Sequence, residues 1–296
     1  MKNWLGTGTT ALAFIVWGLL PLYFQFMPGV QMWELISHRI LWSVVLLGGL
    51  FLLLGHKVPW AKLRSEPRQL GLILLAGPVM TISWSMFTWC LTTGQVLTTS
   101  LAYFMTPLFN IVFAVIFLKE RLTPQKHLAV ALALAGLAYM LFCYGQLPWY
   151  SLIMGGVFAC YGLIKKMIHY DTGTSLYLEA MVQLPIAILL IGWHTWHGEG
   201  LFVAGEVSDK LLLIGSAIAT LLPVGLFSYG VSNTRMSTVG LLQYIEPSLA
   251  FLLAIYWFHE APDPIKTVGF AFIWAGLLVS LLPLHRLKRR PQGVTR

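Results

Sequence analysis

The chain has 296 residues, of which 57% are hydrophobic and only 10% charged, with a mean hydropathy of +0.75. Soluble domains carry roughly 25% charged residues, so an ordinary globular protein is excluded and lipid is the expected solvent. The net charge of +8 does not indicate nucleic acid, because the Lys and Arg residues fall in short connectors and a tail and not on a basic helix with interleaved aromatics.

A helix crosses the ~30 Å hydrocarbon core with about 20 apolar residues, and an internally hydrogen-bonded backbone is what survives there. Ten segments meet this requirement: 6–26, 34–55, 70–92, 97–118, 127–145, 147–164, 174–194, 210–230, 237–258 and 267–284. The first follows Lys2 but is as long as a bilayer span and has no convincing leader-peptide cleavage site. The second holds Glu34, His38 and Arg39; the fourth and ninth each contain a proline, Pro107 and Pro247; the sixth is short and flanked by Lys165 and Lys166; the seventh contains Glu179 and the ninth Glu246. Assigning connectors alternately to two sides puts 16 of the 19 Lys and Arg residues on one side and 2 on the other, with Arg39 inside a span. By the positive-inside rule both termini are cytoplasmic, and an odd number of crossings spoils the split.

Shifting the sequence by 140 residues aligns 97–141 with 237–281 without gaps, and 12 of the 45 positions are identical, including Pro107/Pro247, Glu120/Glu260, Pro124/Pro264, Lys126/Lys266 and Gly136/Gly276. Shared apolar composition explains Leu and Ala matches but not these. Five helices per copy is odd, so the second copy is expected upside down relative to the first. The expected architecture is an all-α membrane protein of ten helices in two inverted repeats, 1–145 and 146–285, followed by a basic cytoplasmic tail, 286–296. Cys90, Cys143 and Cys160 lie inside apolar runs with no metal-ligand spacing, so neither a disulfide nor a metal is expected.

The stretches WELISHRILWS (33–43), TSLAYFMTPLFNIVFAVIFLKER (99–121), STVGLLQYIEPSLAFLLA (237–254) and FAFIWAG (270–276) resemble the RarD family, in the EamA-type branch of the drug/metabolite transporter superfamily. The resemblance covers essentially the whole chain. It implies a ten-helix, two-repeat carrier with a central cavity and, by wider analogy, export of amino acids, drugs or other small metabolites. Ser83, Thr99, Thr106 and Glu246 depart from the family pattern.

Ionisable groups inside spans cost about 2.5–3.5 kcal/mol on insertion scales and face a cavity or a partner. Glu34, His38, Arg39, Glu179 and Glu246 are therefore the first candidates for a substrate or ion pathway. Glu34 and His38 share a helix face, whereas Arg39 points about 140° away from Glu34 and needs another partner. Pro107 and Pro247 free the carbonyls of Tyr103 and Gln243 four residues earlier, and broken helices at paired positions often line a transporter's site; a packing kink is the plainer reading. Trp17, Trp84, Trp89, Tyr103 and Tyr244 are candidate aromatic walls, and Asn110 and Gln243 candidate polar contacts. Arg39 and Glu246 are expected to bind a zwitterionic substrate or to pair with each other when the site is empty. The functional reading is a secondary transporter of the bacterial inner membrane that moves a small metabolite by alternating access, without catalytic residues, cofactor or nucleic-acid partner. The lipid bilayer is its medium, and small-residue spacing at Ala131/Ala135 and Ala271/Ala275 leaves a homodimer open. Two other classes stay open: a lipid-modifying membrane enzyme, for which no HExxH or paired-carboxylate loop is seen, and a membrane scaffold or sensor.

Overall fold

The structure is a computed structural model that describes residues 2–27, 29–93, 96–145 and 149–281. The expected basic tail at 286–296 and the start of the sixth span at 147–148 lie outside the described residues. Every element among the described residues is helical: α1 (Lys2–Phe24), α2 (Met32–Leu54), α3 (Trp60–Ser65), α4 (Pro67–Thr92), α5 (Val96–Ile116), α6 (Pro124–Tyr144), α7 (Trp149–Met167), α8 (Thr172–Trp196), α9 (Leu201–Ala204), α10 (Val207–Asn233), α11 (Met236–Leu242), α12 (Ile245–Tyr256) and α13 (Pro264–Leu281). Among the described residues, each of the ten apolar segments is largely helical. The short α3 and α9 carry no apolar periodicity long enough to announce them. Seven helical stretches are long and apolar enough to cross a membrane, α11 and α12 counting as one, and Leu101–Ile116 and Pro264–Ser280 are shorter apolar helices.

Helix ends follow local chemistry. α6 begins with Thr123 as N-cap and Pro124 in the first turn, where a missing N–H costs nothing, and stops at Gly145, whose φ of 64° is the left-handed conformation that glycine adopts without strain. Asp171 caps α8 by accepting from the Thr174 N–H at 2.8 Å. At the start of α13 Asp263 accepts from the Ile265 N–H (2.8 Å) and the Tyr144 hydroxyl (2.5 Å). Partial burial pushes this carboxyl up, but the hydrogen bonds and Lys266 outweigh it and hold it below its ordinary value.

Equivalent positions of the two sequence copies behave alike. Lys119 (φ 53°) and His259 (φ 55°), 140 apart, are the non-glycine residues with positive φ among the described residues. Glu120 N–H bonds to Ala114 O, and Glu260 N–H to Ala254 O, both at 2.9 Å. α1 packs on α10 and α12, and correspondingly α7 packs on α4 and α5; α2 packs on α8, and α6 on α13. The last pair meets reciprocally. A Cβ on Gly136 would stand 2.9 Å from Phe272 Cβ and 3.0 Å from Gly269 O, and a Cβ on Gly276 3.0 Å from Ala129 O and 3.5 Å from Leu132 Cβ. Residues 129 and 132 are the counterparts of 269 and 272. Bare backbone at these crossings lets the helices approach as small-residue seams do in lipid, where packing and not hydrophobicity drives association.

The two prolines act differently. α5 runs as one continuous helix through Pro107. The ninth segment is interrupted at Gln243–Tyr244, where Tyr244 N–H bonds to Leu241 O and Glu246 N–H to Gln243 O, both three residues back. Pro247 has no N–H for the Gln243 carbonyl, and the backbone closes with tighter turns instead. Lys165 also departs from expectation: it sits inside α7, buried to 1% exposure, and not in a connector.

Candidate functional site

A cavity of about 520 Å³ lies among α1, α4, α5, α7 and the α11–α12 turn, lined by Trp17, Ser83, Trp84, Phe87, Tyr103, Thr106, Gln243 and Glu246 among others. It shares Trp17, Trp84, Phe87, Tyr103 and Glu246 with a wider cleft that passes Pro247 and Ala250 and reaches Glu260 and Lys266. Both prolines are buried. The rings interlock: Phe87 meets Tyr103 edge-on at 5.6 Å and Trp17 meets Phe158 edge-on at 5.9 Å. It is the wider cleft, with about 450 Å³ of interior space, that has room for a small organic molecule, and the lining is the usual mixture of apolar walls and few polar groups. Glu246 stands half-buried, and its carboxylate makes no ion pair among the described residues. The Trp17 indole N–H is buried without an acceptor. A desolvated carboxylate and a spare donor are costly unless something else satisfies them.

A second cavity of about 640 Å³ adjoins the first at Trp84, lined by Arg39, Ser43, Thr81, Glu179, Gln183 and Thr220 among others. Here Glu179 is fully engaged. Lys165 donates to its Oε1 at 2.6 Å, Ser175 donates to the same oxygen at 2.6 Å, and Tyr161 donates to Oε2 at 3.3 Å. Lys165 also reaches Ser175 at 2.7 Å. Arg39 is 5% exposed, its guanidinium carbon 4.6 Å from the Trp84 ring and 4.9 Å from the Phe24 ring. It forms no ion pair among the described residues. The expected Arg39–Glu246 pairing is absent because α2 packs on α8 and α10 whereas α12 packs on α1, and Trp84 stands where the two cavities meet.

Other candidates lie elsewhere. Glu34 is 1% exposed under the α8–α10 connector, where its Oε1 accepts from the Phe202 N–H at 2.7 Å and so caps α9; His38 packs on the Phe202 ring at 4.5 Å. Neither reaches the cavities, because the connector folds over that end of α2. Trp89 packs on Tyr150 at 5.3 Å and is 37% exposed, away from the cavities. Tyr244 donates to Phe104 O at 3.2 Å within an apolar cluster, and Asn110 donates to the Gln243 side chain, holding the α11–α12 turn against α5. Glu246, Trp84, Tyr103 and Gln243 are thus the candidates that converge on the first cavity, with Arg39 and Glu179 on the second.

The structure adds two groups. Lys165 was legible in principle, since Tyr161/Lys165 and Ser175/Glu179 are both i,i+4 polar pairs, each on one helix face. The other is a clasp at the start of α11: Glu120 accepts from the N–H groups of Met236 (2.7 Å) and Ser237 (3.1 Å) and from the Ser237 hydroxyl (2.6 Å). Lys126 donates to the Ser237 and Thr238 hydroxyls at 2.9 and 2.7 Å. A carboxylate on helix N-terminal N–H groups is favoured by the dipole as well as by the hydrogen bonds.

A family model described as the EamA-like transporter family matches residues 4–142 and again 147–282. The chain is 34% identical to Protein RarD of Streptomyces exfoliatus, covering 95% of this chain and 89% of that one. It is 33% identical to Protein RarD of Escherichia coli, covering 94% of each, and 34% identical to the uncharacterized transporter YojE of Bacillus subtilis, covering 95% and 94%. A solved crystal structure superposes with a TM-score of 0.71 at 20% identity, over 97% of this chain and 99% of that one, which speaks to the fold. With apolar helices long enough to span a bilayer, an interior cavity and family matches along nearly its whole length, the chain belongs to the EamA-like transporter family.

Proposed function

We propose that this protein is a secondary transporter of the bacterial inner membrane that carries a small metabolite, an amino acid or drug-like compound, by alternating access. It crosses the membrane ten times as two inverted five-helix halves, 1–145 and 146–285, with both termini in the cytoplasm. The carrying observation is the aromatic cavity around Glu246, a half-buried carboxylate that makes no ion pair among the described residues of an apolar bundle. A charge kept there at such cost is explained by a ligand or proton that neutralises it in turn. The two separate matches to the family model, the 140-residue offset and the reciprocal Gly136/Gly276 contacts support the duplicated, inverted arrangement. Purified protein in liposomes, preloaded with unlabelled metabolites and offered labelled ones, tests the reading. Saturable counterflow that falls about tenfold or more in Glu246→Gln supports it, and absence of counterflow across amino acids, amines, carboxylates and neutral drugs refutes it.

The clasp supplies the gate in this reading. By the charge rule the α5–α6 loop is cytoplasmic, so Glu120 and Lys126 close the cytoplasmic end, while their counterparts Glu260 and Lys266 line the cleft at the other end. Inversion of the repeats makes closure of one end and opening of the other a single exchange. In a chain with Cys90, Cys143 and Cys160 replaced by Ala, a short cleavable cross-linker between Glu120→Cys and Ser237→Cys should stop counterflow, which returns on cleavage. Unchanged counterflow in the cross-linked protein removes the clasp from the gate.

A further inference from the structure

Two charged side chains, Arg39 and Glu179, line the second cavity, and Lys165 stands behind Glu179; their sum is informative. Glu179 is neutralised by Lys165 at 2.6 Å and saturated by Ser175 and Tyr161. That leaves Arg39, 95% buried, with Nε and Nη2 inaccessible to water and without acceptors. The nearby carboxylate on its own helix, Glu34, is five residues away, about 140° around the helix, and bound to the Phe202 N–H. Trp84 and Phe24 lie 4.6 and 4.9 Å from the guanidinium carbon and offer its positive charge their π-systems but no hydrogen-bond acceptor oxygen. A guanidinium has five N–H donors in a rigid plane, and its Nε–Nη2 edge matches the two oxygens of a carboxylate. In Arg39 it is that edge whose donors are unused. Around it the cavity presents the Ser43 hydroxyl and the second amide N–H of Gln183, whose first is donated to Glu179 O, as donors for the rest of an oxyanion's lone pairs. The Thr81 and Thr220 hydroxyls also line it but already donate to the Gln183 side chain and to Ser216 O, and Ile36, Ile40, Met80 and Val224 are apolar.

We infer that the Arg39 cavity is an anion subsite, and that it receives the carboxylate of an organic acid as cargo. This rests on the transport reading and names the chemical class of what is carried. Both nitrogens of the edge are covered in this conformation, so the carboxylate arrives with a small displacement of the surrounding side chains. Trp84 lines both cavities, so the body of the same molecule extends past its ring toward the aromatic walls of the first.

The test uses the full chain in lipid nanodiscs with benzoate and its neutral isostere benzamide as probes, then short aliphatic carboxylates against their amides, read by equilibrium binding. Carboxylates should bind and amides bind about tenfold or more weaker, since a hydrogen bond to a charged partner is worth about 1.5–3 kcal/mol. Arg39→Gln should abolish that preference, and Arg39→Lys, which keeps the charge but not the fork, should restore part of it. The carboxylate–amide comparison in the unaltered protein needs no variant, so misfolding of Arg39→Gln does not shelter the inference. Equal binding of acids and amides, or of neither, overturns it, as does Arg39→Gln binding carboxylates like the parent. Counterflow of amines or neutral compounds that is indifferent to Arg39→Gln overturns the anion subsite while leaving transport intact. No counterflow of any compound strikes the transport reading itself.

Discussion

Lys165 and Glu179 illustrate how a buried charge is made tolerable. Taking either ion out of water costs several kcal/mol, offset here by a 2.6 Å contact and by hydroxyls on the remaining lone pairs. Removing one partner leaves the other uncompensated, so Glu179→Gln should destabilise the protein by about 3–5 kcal/mol. Lys165→Met with Glu179→Gln should recover most of that loss, measured as thermal unfolding in detergent. If the double variant is no better than the sum of the singles, the two residues are not coupled. The sequence made Glu179 stand out because it is acidic within an apolar run, but it presented Lys165 as a flanking charge, because nothing in a linear pattern separates the last turn of a buried helix from a loop. Arg39 and Glu246 stood out for the same reason as Glu179. That they face different cavities depends on which helices are neighbours, and this is a property of packing that neither helix encodes alone. Glu34 and His38 were drawn into the candidate set by the same cost argument. Both meet Phe202 of α9 in a distant connector: its N–H, 168 residues from Glu34, donates to that carboxylate, and its ring packs on His38.

At the scale of elements the apolar runs were sufficient to find every long helix, with ends displaced by a few residues where caps such as Thr123 and Gly145 decide. The interruption at Gln243–Tyr244 was foreshadowed by Pro247. Pro107 carried the same signal, yet α5 is continuous through it, because a proline removes one hydrogen bond but the surrounding packing decides whether the helix is interrupted. The α6–α13 seam offers a sharper test. Gly136→Ala adds a methyl 2.9 Å from Phe272 Cβ and 3.0 Å from a backbone carbonyl, whereas Gly49 has nothing within 4 Å of its added Cβ. Gly136→Ala should therefore cost about 1–3 kcal/mol by overpacking, and Gly49→Ala should be neutral or stabilising by up to about 1 kcal/mol from helix propensity. Equal effects on unfolding temperature would falsify the close-packed seam. At the neighbouring cap, Asp263→Ala removes three hydrogen bonds at once, from the Tyr144 hydroxyl and the Ile265 and Lys266 N–H groups, and should lower stability by about 1–2 kcal/mol. Because this carboxyl is held below its ordinary value, its contribution is present above the unfolded carboxyl's range and fades as pH falls through the folded value. A stability difference between the parent and Asp263→Ala that does not shrink on acidification contradicts this assignment.

For the whole molecule, the internal repeat and the motifs gave the family, while the cavity and its charge pattern needed three dimensions. Residues of α1, α4, α5, α7 and the α11–α12 turn converge there from far apart in the chain. Ala250, small and on the wall of the wide cleft beside Pro247, gives direct access to that convergence without touching a charge. The decisive measurement is counterflow by an Ala250→Cys protein lacking Cys90, Cys143 and Cys160, before and after reaction with a bulky, membrane-impermeant thiol reagent applied from outside. If cargo passes through this cavity, modification brings counterflow to background and removal of the adduct restores it. Complete modification with counterflow unchanged would show that the cavity is not the path.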